Sequence, residues 1–123
     1  MTASYDDNNI FAKILRKEIS CKAVYEDDHV LAFPDISPQA PVHILVIPKG
    51  RYMSIADFGA TASAEEITAL WRAVAKIAAD HGLPANGFRT IANVGLHGGQ
   101  DVPHFHVHIL GGKALGPMLS KAS

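Results

Sequence analysis

The segment 104-HFHVHIL-110 restricts the possible folds more than any other part of the chain, because histidines and apolar residues alternate through it. Alternate residues of a β-strand point to opposite faces of a sheet. A strand here would bury three apolar side chains in a core, those of Phe105, Val107 and Ile109. The opposite, solvent-facing side would carry a row of imidazoles about 7 Å apart, those of His104, His106 and His108. Such a row can bind metal, perform chemistry or be structural.

The length and charge of the chain limit its partners. At 123 residues and a formal net charge of −1, we predict one domain over residues 1–123, with 112–123 as a C-terminal tail. A near-neutral charge provides no broad basic surface, so we expect no nucleic-acid partner. No segment has the apolar length of a membrane span, so we expect no membrane association. The expected partner is a small molecule.

Two further features concern location and redox chemistry. The N-terminal segment MTASYDDNNI has neither the basic stretch nor the apolar run of a secretory signal, so a cytoplasmic location is expected. Cys21 is the single cysteine, which excludes an internal disulfide and zinc sites that need two thiolates from one chain. We interpret Cys21 as a free structural thiol.

The N-terminal half predicts a short helix followed by strands. Apolar residues recur at helical spacing in 8–17, behind asparagines that can cap the first turn. The runs 23–26 and 29–33 indicate an antiparallel hairpin. Three prolines in 34–41 predict an ordered loop, and 42–48, the most β-prone run, predicts a central strand.

The C-terminal half predicts a long helix and two more strands. The helix begins at the capping box 63-SAEE-66, ends near Gly82 and carries Trp71 on its apolar face as a packing anchor. The segment 88–93 predicts a strand, and the glycine-rich segment 95–101 predicts a loop that leads into the triad strand.

This order of elements indicates an α+β domain. We predict an antiparallel five-stranded sheet with one long and one short helix, followed by coil from Gly111 onward.

Three functions of the histidine row need to be compared. Neutral imidazoles bind zinc, but the third ligand must come from elsewhere, and the triad strand contains no carboxylate to support the rings. A purely structural row is less favoured, because three titratable rings would line one strand face beside a glycine-rich loop by chance. A lone buried histidine such as His43 is more often structural. A neutral imidazole is also a nucleophile towards phosphorus, and the backbone of 98-GGQD-101 can approach a phosphate closely and donate amide hydrogens to it. This pattern favours phosphorus chemistry, with no metal or cofactor.

The triad and its surroundings resemble a known family. The segment 104–110 matches the His-φ-His-φ-His-φ-φ signature of the histidine-triad superfamily of nucleotide hydrolases and transferases. The pair Gly111-Gly112 that follows is similar to the Hint branch of that superfamily. The segments 10–19, 31–50 and 93–112 also resemble Hint segments in order and spacing, so the likeness covers most of the chain.

The resemblance implies a HIT-like fold and a purine nucleoside phosphoramidase that acts through a covalent nucleotidyl-histidine intermediate. His106 would be the nucleophile, His104 and His108 would flank it, and His43 would complete the cluster.

The resemblance also implies how the nucleotide is held. Asn93 and Gly99 would contact or orient its phosphate, and Asp35 would hold the ribose hydroxyls. Four apolar residues would surround the purine: Ile10, Phe11, Phe33 and Ile36.

Asp101 departs from the family pattern. Many members carry a serine or threonine there that can donate to phosphate, whereas an ionised carboxylate only accepts and would repel the anion. Either the carboxylate turns away and the backbone amide of Asp101 meets the phosphate, or turnover and leaving-group preference differ. The segment 113–123 also lacks the aromatic residue found in some Hint proteins.

The resemblance further implies a homodimer in which two sheets join edge to edge, with AMP, GMP or their phosphoramidates as partners. Two alternatives stay open. One is a Fhit-like hydrolase of dinucleoside polyphosphates, against which Gly111-Gly112 argues. The other is a nucleotide-binding or partner-binding module with incidental catalysis.

Overall fold

A computed structural model describes residues 4–120 of the chain. Its elements follow in this order: α1 (Ile10–Leu15), β1 (Tyr25–Glu26), β2 (Val30–Pro34), β3 (Val42–Pro48), α2 (Ile55–Thr61), α3 (Ala64–Asp80), β4 (Arg89–Ile91), α4 (Gly95–Gly98) and β5 (Val107–Gly111). A 3-10 turn, Leu83–Ala85, lies between α3 and β4. The predicted α+β class with an antiparallel five-stranded sheet is confirmed.

The sheet has the strand order β1, β2, β3, β5, β4, with every neighbouring pair antiparallel. Strand β3 lies at its centre, as predicted. On one side Ile47 of β3 faces Leu31 of β2, and on the other side Ile44 faces Ile109 of β5. The edges are the short strands β1 and β4, and the predicted hairpin of β1 and β2 is confirmed.

Both faces of the sheet centre are buried, which explains why β3 is an almost continuous apolar run. On one face, Ile44 and Val46 of β3 belong to the core cluster that includes the buried residues of α3. On the other face, Leu45 and Ile47 pack with Phe11 of α1 in a second cluster. The histidine row lies on this second face, beside α1.

Helix α3 begins at the predicted capping box. The Ser63 hydroxyl accepts from the Glu66 amide and the Glu66 carboxylate accepts from the Ser63 amide, both at 3.1 Å. Gly82 follows the end of the helix at φ 70°, a left-handed conformation that suits glycine. The expectation that Trp71 is a packing anchor is wrong, since it is 43% exposed. It lies about 100° around the helix from buried Leu70, at the border of the apolar stripe.

Two short helices were not predicted. Helix α2 has its own capping box, in which the Ser54 amide donates to Asp57 Oδ1 at 2.8 Å. Its only buried residue is Phe58, so no apolar stripe marks it in the sequence. Helix α4 is a single turn within the predicted loop 95–101.

Strand β5 begins later than predicted. The Phe105 amide donates to the carbonyl of Tyr52 at 2.8 Å, and pairing with β3 starts only at Val107, so His104 and His106 precede the strand. At the other end β5 includes Gly111, so the coil begins one residue later than predicted. The Arg89 guanidinium donates to the Gly116 carbonyl at 2.8 Å and holds the tail against β4.

Residues 1–3 of the N-terminal segment and 121–123 of the predicted tail lie outside the described residues. No helix within residues 4–120 is long and apolar enough to cross a membrane.

Candidate active site

The alternation predicted for the triad segment is present, but its histidines are not solvent-facing. Phe105 and Val107 are 1% and 0% exposed in the main core, while His104 and His106 on the other side are 0% and 3% exposed. The reason is α1, whose Phe11 ring lies edge-on to both imidazoles, with ring centroids 6.3 Å and 5.1 Å away. The expectation of an exposed row is therefore wrong for these two residues.

Hydrogen bonds at both ring nitrogens hold His104. Its Nε2 lies 2.9 Å from the Pro48 carbonyl oxygen, which can only accept, so we assign the ring proton to Nε2. Its Nδ1 then accepts from the hydroxyl of Tyr5. Burial lowers the pKa of His104 from 6.5 to about 4. The ring is therefore neutral near pH 7, with one defined tautomer.

His106 has the tautomer that a nucleophile needs. Its Nδ1 lies 2.8 Å from the carbonyl oxygen of His104, so Nδ1 carries the proton and donates it. The lone pair is then on Nε2. This atom lies 3.7 Å from Oδ1 of Asp101, whose side chain is 80% exposed at the mouth of the site.

His43 and His108 form a hydrogen-bonded pair beside His106. The Gln39 amide donates to His43 Nδ1 at 3.1 Å, so the proton of His43 is on Nε2, which donates to His108 Nδ1 at 2.9 Å. His108 therefore carries its own proton on Nε2. Burial first, and then the neighbouring His106 and His43, lower the pKa of His108 to about 4. Near neutral pH, His108 is a neutral hydrogen-bond donor.

A metal ion fits poorly at this pair, although Asp35, His43 and His108 offer ligand atoms within 4.8 Å of one another. Histidine ligands usually donate their second ring nitrogen to an acceptor. His43 instead accepts from an amide at Nδ1, so a metal at Nε2 would have to displace its only ring proton. The arrangement favours a hydrogen-bonded imidazole pair.

A cavity of about 830 Å³ opens beside His106 and His108. This volume lies within the range of small-molecule sites, and the cavity walls are mostly apolar. Helix α1, the end of β2 and the loop after it supply the apolar walls. Asp35 at one side is held by the Ser37 amide, which donates to its Oδ1 at 2.8 Å.

The structure brings most of the predicted site residues to this cavity: Ile10, Phe11, Phe33, Asp35, Ile36, Asp101, His106 and His108. His104 lies behind His106, and His43 lies behind His108. Asn93 and Gly99 do not line the cavity.

The glycine-rich loop is not the open phosphate cradle that its sequence suggests. The amides of 98–100 donate to carbonyls of 94–96 at 3.0 to 3.2 Å, so these donors are already used within the loop. The side-chain amide of Gln100 also donates to the carbonyls of Met53 and Val102, at 2.6 and 2.9 Å. Gly99 has φ 74°, which explains the glycine by backbone geometry. Of the segment 98–101, only Asp101 lines the cavity.

Three contributors were missed in the sequence. Tyr5 and the Gln39 amide fix histidine tautomers. Tyr5 acts on His104, far away in the chain, and Gln39 acts through its backbone, so no local sequence pattern reveals either contact. Cys21, interpreted as structural, lies half-buried in the cavity wall. Burial raises the pKa of its thiol.

Comparisons with known proteins relate the chain to one family. The family model of the HIT domain matches residues 16–115. An uncharacterized HIT-like protein of Azospirillum brasilense is 52% identical over 121 residues, which are 98% of this chain and 99% of that protein. The purine nucleoside phosphoramidase of Escherichia coli K12 is 50% identical over 117 residues, 93% of this chain and 95% of that protein.

Solved structures share the whole fold. A HIT family hydrolase from Clostridium thermocellum has a TM-score of 0.84 at 37% identity, with 94% of this chain and 99% of that chain covered. A histidine triad protein from Clostridium difficile has a TM-score of 0.80 at 44% identity, with coverages of 93% and 98%. The likeness therefore extends well beyond the triad.

Proposed function

Since the chain belongs to the histidine-triad (HIT) family and is a HIT-family hydrolase, we propose that it cleaves the P–N bond of purine nucleoside phosphoramidates with His106 as the nucleophile. Its relative in Escherichia coli carries the name of this activity. The observation that supports the proposal best is the tautomer of His106. Its Nδ1–H donates to a carbonyl, so the Nε2 lone pair is available at the cavity.

In the first step, Nε2 of His106 attacks the phosphorus atom. A new N–P bond forms, and the bond between phosphorus and the amine nitrogen breaks. The amine leaves with the bonding electron pair and takes a proton from solvent at the cavity mouth. The product is a nucleotidyl-His106 intermediate, which divides one difficult displacement into two easier ones.

In the second step, water attacks the phosphorus of this intermediate. A P–O bond forms, the N–P bond to His106 breaks, and the water releases one proton to solvent. A nucleoside monophosphate leaves, and His106 regains its Nε2 lone pair. No other co-reactant is required.

His108 stabilises the charge that develops on the phosphoryl oxygens. Its Nε2–H is a neutral donor whose tautomer is set in advance by His43 and the Gln39 amide. Preorganised donors of this kind contribute most in the transition state, because they need no reorientation. Asp35 lies beside this histidine pair, with Oδ2 3.5 Å from His43 Nε2, and is available to accept from the ribose hydroxyls.

The purine occupies the apolar part of the cavity, formed by Ile10, Phe11, Phe33 and Ile36. Asn93 and Gly99 do not line the cavity and act indirectly, by setting the position of the loop that ends at Asp101. Asn93 packs against Gly98, where an added Cβ would lie 3.6 Å from the carbonyl carbon of Asn93.

The decisive test compares hydrolysis of an adenosine phosphoramidate that carries a fluorescent amine with hydrolysis of a diadenosine polyphosphate. Wild type, His106→Ala and a control, His81→Ala at the end of α3 outside this cavity, are assayed with and without chelator. We expect preferential P–N cleavage by wild type and the control, lost in His106→Ala and indifferent to chelator. Faster polyphosphate cleavage would favour the Fhit-like alternative, and turnover in His106→Ala would contradict the assignment.

We also propose that two copies pair edge to edge. Strand β4 is a sheet edge of three residues, and unpaired edges invite association. Trp71 is available for burial in such a dimer. Light scattering coupled to size-exclusion chromatography tests this, and a monomer mass at assay concentration would contradict it.

A cytoplasmic location stays a prediction that cell fractionation would test.

A further inference from the structure

Tyr5 connects the N-terminal segment to the histidine cluster. Its hydroxyl donates to Nδ1 of His104, and its ring lies edge-on to that imidazole with centroids 5.6 Å apart. Burial raises the pKa of Tyr5, so the hydroxyl keeps its proton at neutral pH. Tyr5 does not line the cavity, and it reaches the histidine cluster through its hydrogen bond to His104.

The ring of Tyr5 is held from its other side by Arg51. The guanidinium carbon lies 5.1 Å from the centroid of the ring, within the range of a cation–π contact. Two Arg51 nitrogens also donate to the carboxylate of Asp7, both at 2.9 Å. Two residues after Asp7, Asn9 caps α1 by accepting from the Ala12 amide at 2.9 Å. The start of the described chain is therefore tied to the body at several points.

His104 needs such anchoring because the sheet does not hold it. Pairing between β3 and β5 starts at Val107, so residues 104–106 lack the ladder bonds of a strand. Besides the bond from the Phe105 amide to the Tyr52 carbonyl, the side chain of His104 supplies two anchors, one to the Pro48 carbonyl and one from Tyr5. The carbonyl of the same residue accepts from His106 Nδ1. The position of His104 thus determines which nitrogen of His106 carries the proton.

From these contacts we propose that Tyr5 is a positioning residue, which holds His104 so that its carbonyl keeps His106 in the tautomer with a free Nε2. The proposal rests on the proposed role of His106 as nucleophile. Tyr5 lies before residues 16–115, the part of the chain that the family model matches.

The test uses Tyr5→Phe, which removes the hydroxyl and keeps the ring over which Arg51 lies. The matched control is Tyr25→Phe. Tyr25 lies in β1, away from the cavity, and its hydroxyl donates to Asp27 at 2.7 Å. For each protein we would measure kcat and KM with the fluorescent phosphoramidate. Nitrogen-15 spectra of the histidine rings, recorded without substrate, would report the tautomers of His104 and His106.

We expect kcat of Tyr5→Phe to fall about fivefold, the rate equivalent of one ordinary hydrogen bond, with KM nearly unchanged. The His106 ring of this variant should show a mixture of tautomers, whereas wild type and Tyr25→Phe should show protonated Nδ1 only. A wild-type kcat, a rise in KM alone, or an unchanged His106 spectrum would overturn the proposal. If wild type itself lacks turnover, the proposed function fails, while the spectra still test the contact.

Discussion

Acidification from pH 7 to pH 5 should weaken the fold through His104 in particular. Burial lowers the pKa of this ring to about 4, whereas the unfolded chain titrates near the ordinary value of 6.5. Between those values the unfolded state binds a proton that the folded state does not, so the free energy of unfolding rises with pH. The contribution of His104 is complete above pH 6.5 and is lost as the pH falls towards 4.

The size of this effect follows from the same two pKa values. Each pH unit below 6.5 costs about 1.4 kcal/mol until the folded ring also titrates. At pH 5 the loss is therefore about 2 kcal/mol, a considerable part of the stability of an ordinary domain. His108 shifts in the same direction but is less buried, so solvent screening reduces its share.

Urea denaturation followed by circular dichroism at pH 7 and pH 5 measures this loss. The informative variant is His104→Gln, whose amide can still donate to the Pro48 carbonyl and accept from Tyr5 but does not titrate. The control is His97→Gln, at an exposed position on α4. Wild type and the control should lose about 2 kcal/mol more than His104→Gln. Equal losses in all three proteins would refute the reasoning.

Three further substitutions have expected outcomes. Asp101→Ser should raise kcat/KM for an anionic phosphoramidate by about fivefold at low salt, because a like charge about 4 Å away costs about 1 kcal/mol in water, and added salt should remove the difference. Unchanged kinetics would mean that the carboxylate turns away. Phe58→Ala should lower the free energy of unfolding by about 3 to 5 kcal/mol in urea, because the buried ring packs on Phe105 with centroids 4.8 Å apart. Gly112→Ala should cost about 1 to 3 kcal/mol, since φ is 92° and the new Cβ would lie 2.8 Å from that of Pro41, and a wild-type melting curve would contradict this.

Local signals predicted the parts of the fold that local physics determines. The central position of β3 follows from a run that is apolar on both faces, and the start of α3 follows from its capping box. Helix α2 has the same kind of cap, but with Phe58 as its only buried residue it lacks the stripe that would have revealed it. Trp71 was misplaced because a position at the edge of a stripe cannot be told from one at its centre without the packing partner.

The candidate site was predictable in its residue types but not in its proton positions. Alternation in the triad segment correctly placed the rings on one side, yet their burial depends on Phe11, far away in the chain. The tautomers depend on single backbone atoms, such as the Pro48 carbonyl and the Gln39 amide, which leave no trace in side-chain identity. The amides of 98–100 likewise donate to carbonyls within a helical turn, which a glycine-rich sequence does not predict.

Burial of the histidine cluster links its proposed catalytic role to acid stability. The same desolvation that keeps His104 and His108 neutral near pH 7 makes the fold lose stability when those rings must be protonated. A neutral cluster supports a nucleophile only if each ring proton is on a defined nitrogen. Here hydrogen-bond acceptors and donors outside the triad fix those proton positions. Two such groups are side chains from other parts of the chain, His43 and Tyr5. Tyr5 does not line the cavity, so its hydroxyl should affect the chemistry without touching the substrate.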